Sequence, residues 1–266
     1  KDLKDAITKG ETQLSVLTSN VFMENTNYKL LLAQIKASDP DCILLLETNQ
    51  VWLNAMAKLD ELYPYSIKHP LENTYGLLFF SKYKIHNPEV RFLLKSDIPS
   101  IRAKLELSPN IYCWFYGVHP EPPSPTESDT SEPRDIELLK LAKEVRKLEE
   151  PVIFAGDFND VAWSHTTRLF RRFSGLLDPR IGRGSYSTFH VKYPLLRWPL
   201  DHFFLSAHFT INEMKVLPSI DSDHFPILIE LNLHPEKSHY TPRPEQEDVS
   251  EIKDKLNNEE NHSNAS

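Results

Sequence analysis

Apolar positions along this chain follow two different spacings. They recur at helical intervals at Tyr28, Leu31, Leu32 and Ile35, at Trp52, Ala55, Met56 and Leu59, and at Leu138, Leu141, Ala142, Val145 and Leu148. Each set lines one face of a helix. Strand-like runs are more numerous: 14–20, 42–47, 75–80, 89–94, 101–107, 111–119, 152–157, 200–206, 211–216 and 225–231. The run IRAKLEL alternates apolar and polar residues, which predicts a strand with one wet face, whereas CILLL, IYCWFYGV and VIFA are continuously apolar, as central strands covered on both faces require. Strands first mix with helices and then dominate, and no internal repeat is visible, so the pattern predicts a mixed α/β (α+β) domain over 11–233. Residues 1–10 read as a loose polar flank, and 234–266 as a polar tail without regular structure.

Polar residues punctuate the apolar runs in an ordered way. LSVLTS ends in Asn20, CILLL in Glu47, IYCWFYGV in His119, and VIFAG in Asp157 followed by Phe158 and Asn159. Two further runs begin with a polar group, Asp201 opening DHFFLS and Asp223 with His224 preceding FPILIEL. If these two strands run antiparallel to the first four, every one of these groups converges on one sheet edge. Taken singly each is an ordinary turn residue or structural histidine. Together, Glu47, Asp157, Asp201 and Asp223 would repel one another by about 4 kcal/mol per close pair unless a cation intervenes. Oxygen and amide donors without thiolates fit a hard divalent ion, Mg²⁺ first and Mn²⁺ second. That combination suits metal-assisted attack of water on a phosphate ester.

Composition narrows the alternatives. The chain has 266 residues with 7 Gly and 20 Pro, and carries neither G-x-G-x-x-G nor G-x-x-x-x-G-K-[ST], which removes the usual backbone phosphate cradles. Phosphate chemistry here must rest on side chains and metal. The net charge is -8, and the last 32 residues hold 8 acids against 4 bases, so the body is only mildly acidic and lacks a broad basic surface for nucleic acid. Cys42 and Cys113 lie in apolar runs far from any C-x-x-C spacing and read as buried free thiols. Between His119 and the third helix, PEPPSPTESDTSEP (120–133) reads as a solvated connection or as a rim beside the site.

In order, TSNV, LLLET, GVHP, GDFND, PLDHFF and SDHFPI resemble the motifs of the endonuclease/exonuclease/phosphatase (DNase-I-like) superfamily, across nearly all of 14–231. The resemblance implies a four-layer sandwich of two mixed β-sheets flanked by helices, a Mg²⁺ cofactor and hydrolysis of phosphodiesters or phosphomonoesters. It implies Glu47 as principal metal ligand, with Asn20 and Asp223 completing or supporting the shell. Asp157 would orient or deprotonate water, Asn159 would hold a phosphate oxygen, and His224, oriented by Asp201, would contact the scissile phosphate. His119 would bind phosphate or assist the leaving group. Many members have Gln before the metal Glu, where this chain has Leu46, and GVHP replaces a longer His-containing motif. Arg134, Arg197 and Trp198 are further substrate-binding candidates, while His202 and His165 read as structural.

The segment RWPLDH and the compact spacing look most like a bacterial branch whose members often carry N-terminal membrane helices. On that reading the chain, which opens on Lys1, is the catalytic fragment of a membrane-anchored protein. The substrate expectation is divided between nucleic acid and a phosphorylated lipid or small molecule, acted on by a monomer without a protein partner. A non-catalytic phosphate- or nucleic-acid-binding domain on the same fold is the competing expectation.

Overall fold

The computed structural model describes residues 2–5, 12–122, 131–234 and 240–263. Among the described residues, eleven strands form two sheets. In the first, β10 (Phe209–Val216), β11 (Ile227–Leu233), β1 (Thr12–Asn20), β2 (Cys42–Leu46), β4 (Leu77–Ser81) and β3 (Tyr65–His69) lie side by side in that order. The second runs β5 (Lys84–Phe92), β6 (Pro99–Ser108), β7 (Ile111–Val118), β8 (Val152–Asp157) and β9 (Asp201–Leu205). The two sheets face one another across one apolar layer, in which Val16, Leu44, Leu46 and Phe79 meet Ala103, Phe115, Ile153 and Phe203. Phe79 stacks on Phe115 with ring centroids 4.3 Å apart. Both free cysteines belong to this layer, and burial pushes the Cys42 thiol up to about 12, so it stays protonated and inert.

Helices cover the two outer faces. α1 (Tyr28–Ser38), α2 (Gln50–Ala55) and a 3₁₀ turn at Ala57–Glu61 close the first sheet around Trp52, Leu78 and Phe80. α3 (Glu132–Val145) and α4 (His165–Ser174) close the second around Phe154, Phe170 and Phe204. Helices outside and sheets inside make the expected four layers. Local chemistry sets the helix ends: Asn49 accepts from the amides of Val51 and Trp52, Ser164 accepts from that of Thr167, and Gly175 ends α4 in the left-handed conformation.

Strand direction decides where polar residues go. β1 is parallel to β2 and antiparallel to β11, and β7 is parallel to β8, which is antiparallel to β9. The C-terminal ends of four strands therefore meet the N-terminal ends of β9 and β11 at one edge.

Two local expectations need correction. Residues 2–5 are no loose flank: Leu3 is fully buried, Asp2 pairs with Arg171 at 2.6 Å and Asp5 bridges to Ile211. The tail is not without regular structure either, because 246–263 forms α5 (Gln246–Ser263). Its Ile252 and Leu256 are buried against Ile136, Leu139 and Leu169, while Asp248 takes both arms of Arg172 at 2.7 and 2.8 Å. The expected alternation of β6 holds, with Arg102, Lys104 and Glu106 partly exposed between buried neighbours; on that polar face Arg102 lies 4.0 Å over the Trp114 ring and pairs with Glu89 and Glu144. Edge strand β3, YSIKH, has a single buried residue and gave no periodic signal. The middle of the Pro-rich connection, 123–130, lies outside the described residues, so its reading as a rim element has no structural counterpart here.

Glu137 on α3 is a buried carboxyl that the fold tolerates at a cost. Its Oε1 has no hydrogen-bond partner among the described residues. Burial first, and then the neighbouring Glu121, raise it to about 8, against the opposing pull of Arg91 and Lys140. A carboxyl raised on folding favours the folded state below its unfolded value near 4.5 and loses that advantage as pH rises to about 8. Glu137→Gln is therefore expected to stabilise the protein by roughly 2–4 kcal/mol above pH 8 and to change little at pH 4. Urea denaturation at the two pH values measures this, and an equal shift at both would contradict it.

Candidate active site

The edge where the strand ends meet holds a buried polar cluster. Asn20 closes β1, and its Nδ2 donates to Glu47 Oε1 at 2.7 Å and to Asp157 Oδ2 at 3.2 Å. One amide thus bridges the carboxylates of the two sheets. Asn20 Oδ1 accepts from the Phe22 amide at 3.1 Å, so the side chain presents nitrogen, a donor, to Glu47. Asn20 supports the carboxylate in this arrangement rather than adding an oxygen beside it.

Backbone geometry holds Glu47 where it is. It sits just past β2 with φ 58°, a left-handed conformation that costs a non-glycine residue of the order of 1 kcal/mol and persists only when its surroundings enforce it. Enforcement comes from Thr48, whose amide donates to Gly76 and whose carbonyl accepts from Leu71, both at 3.0 Å. A side chain at Gly76 would collide with that carbonyl, its Cβ falling 1.9 Å from the oxygen. In the other sheet Gly156 does a similar job. With φ +149° and its would-be Cβ 1.9 Å from the Val118 carbonyl oxygen, it lets the ends of β7 and β8 approach, which brings His119 beside Asp157.

Asp157 is the hub. Its Oδ1 accepts from the Asn159 amide at 2.9 Å, and Oδ2 faces His224 Nε2 at 3.5 Å and His119 Nε2 at 3.9 Å. Directly opposite it in the β8–β9 pair stands Asp201, whose Oδ2 accepts from His224 Nδ1 at 2.7 Å. The ring of His224 also packs against Phe189, centroids 4.8 Å apart. Ser222 completes the support: its hydroxyl donates to the Asn20 carbonyl at 2.8 Å and accepts from the His224 amide at 3.1 Å.

The charges of this cluster are strongly coupled. Burial would lower the His224 imidazole, yet the carboxylates of Asp201 and Asp157 outweigh it and push the ring up to about 10. Burial raises Asp157, but the imidazoles of His224 and His119 and the hydrogen bonds from Asn159 and Asn20 together hold it below the usual carboxylate range. For Asp201 burial dominates and the group is raised. Burial likewise pushes half-buried Glu47 up, against the pull of His119, Asn20 and His224. The resulting charge pattern is a protonated imidazolium between two buried aspartates, with a raised carboxyl beside it.

Ligand atoms of Asp157, Asp201 and His224 lie within 4.8 Å of one another, a spacing compatible with a metal. The protonated His224 ring, held through Nδ1 by Asp201, already supplies positive charge there. Glu47 is the better seat for a cation: it offers a hard oxygen, burial has raised it, and a nearby positive charge would relieve that cost. The Glu47 carboxylate therefore fits a hard divalent cation. Asp223, beside His224, accepts from Ser222 at 3.3 Å and remains partly exposed.

The structure thus brings together Asn20, Glu47, His119, Asp157, Asn159, Asp201, Asp223 and His224. Asn159 has φ 50° and donates one amide hydrogen to the Pro120 carbonyl at 2.9 Å. Arg134 departs from its expected role as a substrate contact. It is buried, with Nη1 donating to the Asn159 carbonyl at 2.8 Å and the other nitrogens engaged by Asp135, so it holds the loop after β8. Arg197 is exposed, 4.8 Å over the Phe225 ring, and Trp198 is exposed 6.0 Å from Trp163. His202 is structural, between Arg180 at 2.6 Å and the Asp160 carbonyl at 2.8 Å, and His165 pairs with Glu251 away from the cluster. Sequence reasoning missed Asp160, which accepts from Ser164 and Thr167 and anchors the same loop. It also missed Thr188, whose hydroxyl accepts from the Asp201 amide at 3.4 Å. Neither residue carries a signal beyond its place in the fold.

Comparison with known proteins agrees with this geometry. The sequence profile described as Endonuclease/Exonuclease/phosphatase family matches residues 17–224. No curated protein sequence matches. Among solved structures, D. rerio TDP2 complexed with single-strand DNA product aligns at TM-score 0.69 and 18% identity, covering 84% of this chain and 100% of that one. An endonuclease/exonuclease/phosphatase family protein from Bacteroides thetaiotaomicron aligns at 0.67 and 18%, covering 83% and 97%. The human Nocturnin catalytic domain with bound sulfate aligns at 0.66 and 18%, covering 85% and 96%. At such identities these likenesses establish the fold alone.

Proposed function

This chain belongs to the Endonuclease/Exonuclease/phosphatase family, and from that premise we propose that it is a Mg²⁺-dependent phosphoesterase that hydrolyses its substrate by direct attack of water. The observation that carries the proposal is the single cluster in which Asn20 joins Glu47 to Asp157 while Asp201 holds His224 against the same Asp157.

Mg²⁺ held by Glu47, with Asp223 and Asn20 in support, would neutralise charge on a phosphoryl oxygen. The chain's own groups supply the rest. His224, positively charged and fixed by Asp201 through Nδ1, donates from Nε2 to a phosphate oxygen. Asp157, held deprotonated, accepts a hydrogen bond from the attacking water and orients it. The second N–H of the Asn159 amide and the ring of His119 hold further phosphate oxygens or meet the leaving group. The Nocturnin domain holds a sulfate and TDP2 a single-strand DNA product, which favours a phosphate-bearing substrate for this fold. Nucleic acid and phosphorylated lipids or small molecules are both substrates of the right chemistry. No helix among the described residues is long and apolar enough to cross a membrane.

The test is turnover of a soluble phosphodiester and a soluble phosphomonoester with Mg²⁺, by wild type and by His224→Ala. Loss of one charged, preorganised donor is expected to cost on the order of 10²–10³-fold in kcat. Binding of phosphate or oligonucleotide without turnover of either ester would favour a non-catalytic binding domain.

A further inference from the structure

The segment between Asp178 and Asp201 is chemically unlike the rest of the chain. Residues 179–200 contain four cations and no acid, in a protein whose net charge is -8. Two of those cations are committed inside the fold, Arg180 to Asp178 and Arg183 to Asp5. The other two, Lys192 and Arg197, are exposed and flank the sequence YPLL.

That sequence forms the tip of a loop whose base is fastened to the active site. The Val191 amide donates to the Asp223 carbonyl at 2.9 Å, Thr188 and Phe189 both donate to the Trp198 carbonyl, and the Phe225 amide donates to Thr188 at 3.0 Å. Phe189 at the base packs on the His224 ring. The tip, by contrast, is bare. Leu195 is 97% exposed, Leu196 61% and Tyr193 57%. A lone exposed leucine is ordinary, but adjacent aliphatic side chains projected into water at a loop tip have no folded-state function. Other exposed aromatics lie on loops from the same edge: Phe22 after β1, and Trp163 after β8, the latter beside Trp198.

We propose that the 190–198 loop is an interfacial anchor that inserts Leu195 and Leu196 into an anionic lipid surface, with Lys192 and Arg197 at headgroup level, so that the ester delivered to His224 is a lipid phosphate. Aliphatic tip, aromatic rim and flanking cations are the arrangement by which peripheral proteins hold a bilayer surface. Single-stranded nucleic acid fits less well. Tyr193, Trp198 and Trp163 offer flat surfaces for stacking, but the most exposed side chains of the tip are aliphatic, and a nucleic-acid backbone needs a row of cations, of which the loop exposes two. The lipid-phosphate part of the proposal rests on the phosphoesterase reading above, whereas membrane docking stands apart from it.

The experiment is co-sedimentation with vesicles of phosphatidylcholine alone and of phosphatidylcholine with about a third phosphatidylglycerol, for wild type and for Leu195→Asp/Leu196→Asp. Both positions are exposed, so the double variant is expected to fold normally and to hydrolyse a soluble phosphoester at the wild-type rate. Wild type is expected to partition onto the anionic vesicles, and the variant to do so at least about tenfold more weakly. Equal partitioning of the two proteins, or none by wild type, would overturn the proposal. So would binding of single-stranded DNA that the double variant loses while vesicles bind neither protein. Vesicle binding with no turnover of any phosphoester would support the anchor and overturn the enzymatic reading instead.

Discussion

Asp157→Asn is expected to lower kcat/KM on a phosphoester substrate on the order of 10³-fold, about 4 kcal/mol of transition-state stabilisation. The substitution is nearly isosteric. It removes the charge, and because the two Asp157 oxygens accept from the Asn159 amide and from Asn20 Nδ2, the new NH2 also gives up one of those two hydrogen bonds. Asp157 is 1% exposed and faces two imidazoles at 3.5 and 3.9 Å, so its carboxylate, which in the proposed mechanism orients the attacking water, sustains the His224 cation. Without it the His224 ring, now near 10, is expected to titrate lower. NMR titration of that ring separates this electrostatic effect from simple misfolding. Stability should respond in the opposite pH range from Glu137. A carboxyl held below its ordinary value stabilises the fold above that value and loses the contribution as pH falls, so the variant is expected to be weaker at neutral pH and matched to wild type in acid. Retention of activity within about tenfold would remove Asp157 from the chemistry.

Glu47→Gln should abolish Mg²⁺ binding, with affinity falling at least about 100-fold by calorimetry while the fold is retained. The amide keeps the size of the side chain and an oxygen for Asn20, but not the charge that a hard cation requires. The competing location is the trio of Asp157, Asp201 and His224. If the cation sat there, Asp201→Asn would abolish binding and Glu47→Gln would leave it intact. The reverse ranking is expected, because the His224 ring already carries the positive charge between those aspartates. Unchanged affinity in Glu47→Gln would refute the assignment.

Much of this site was legible because its logic is carried by strand ends. An apolar run that stops at a polar residue states both where a strand finishes and what it delivers, and Asn20, Glu47, His119 and Asp157 all follow that rule. Asp201 and His224 obey its mirror image on antiparallel strands. The remainder was set by packing that no local pattern encodes. Arg134 was expected at the substrate, yet it lies buried and binds the Asn159 carbonyl, because α3 docks over the end of β8. In α5, Ile252 and Leu256 form only a thin apolar stripe in a charged sequence, and the helix is held by ion pairs from α3 and α4 that are distant along the chain. Leu3 is a single apolar residue in a polar stretch. Two of the few glycines, Gly76 and Gly156, serve to seat Glu47 and Asp157.

The most direct measurement is the initial rate of the purified protein on a soluble phosphoester before EDTA, after EDTA, and after Mg²⁺ is restored. Turnover that EDTA abolishes and Mg²⁺ recovers is expected; turnover indifferent to EDTA, or none on either a diester or a monoester, would contradict the metal-dependent phosphoesterase reading.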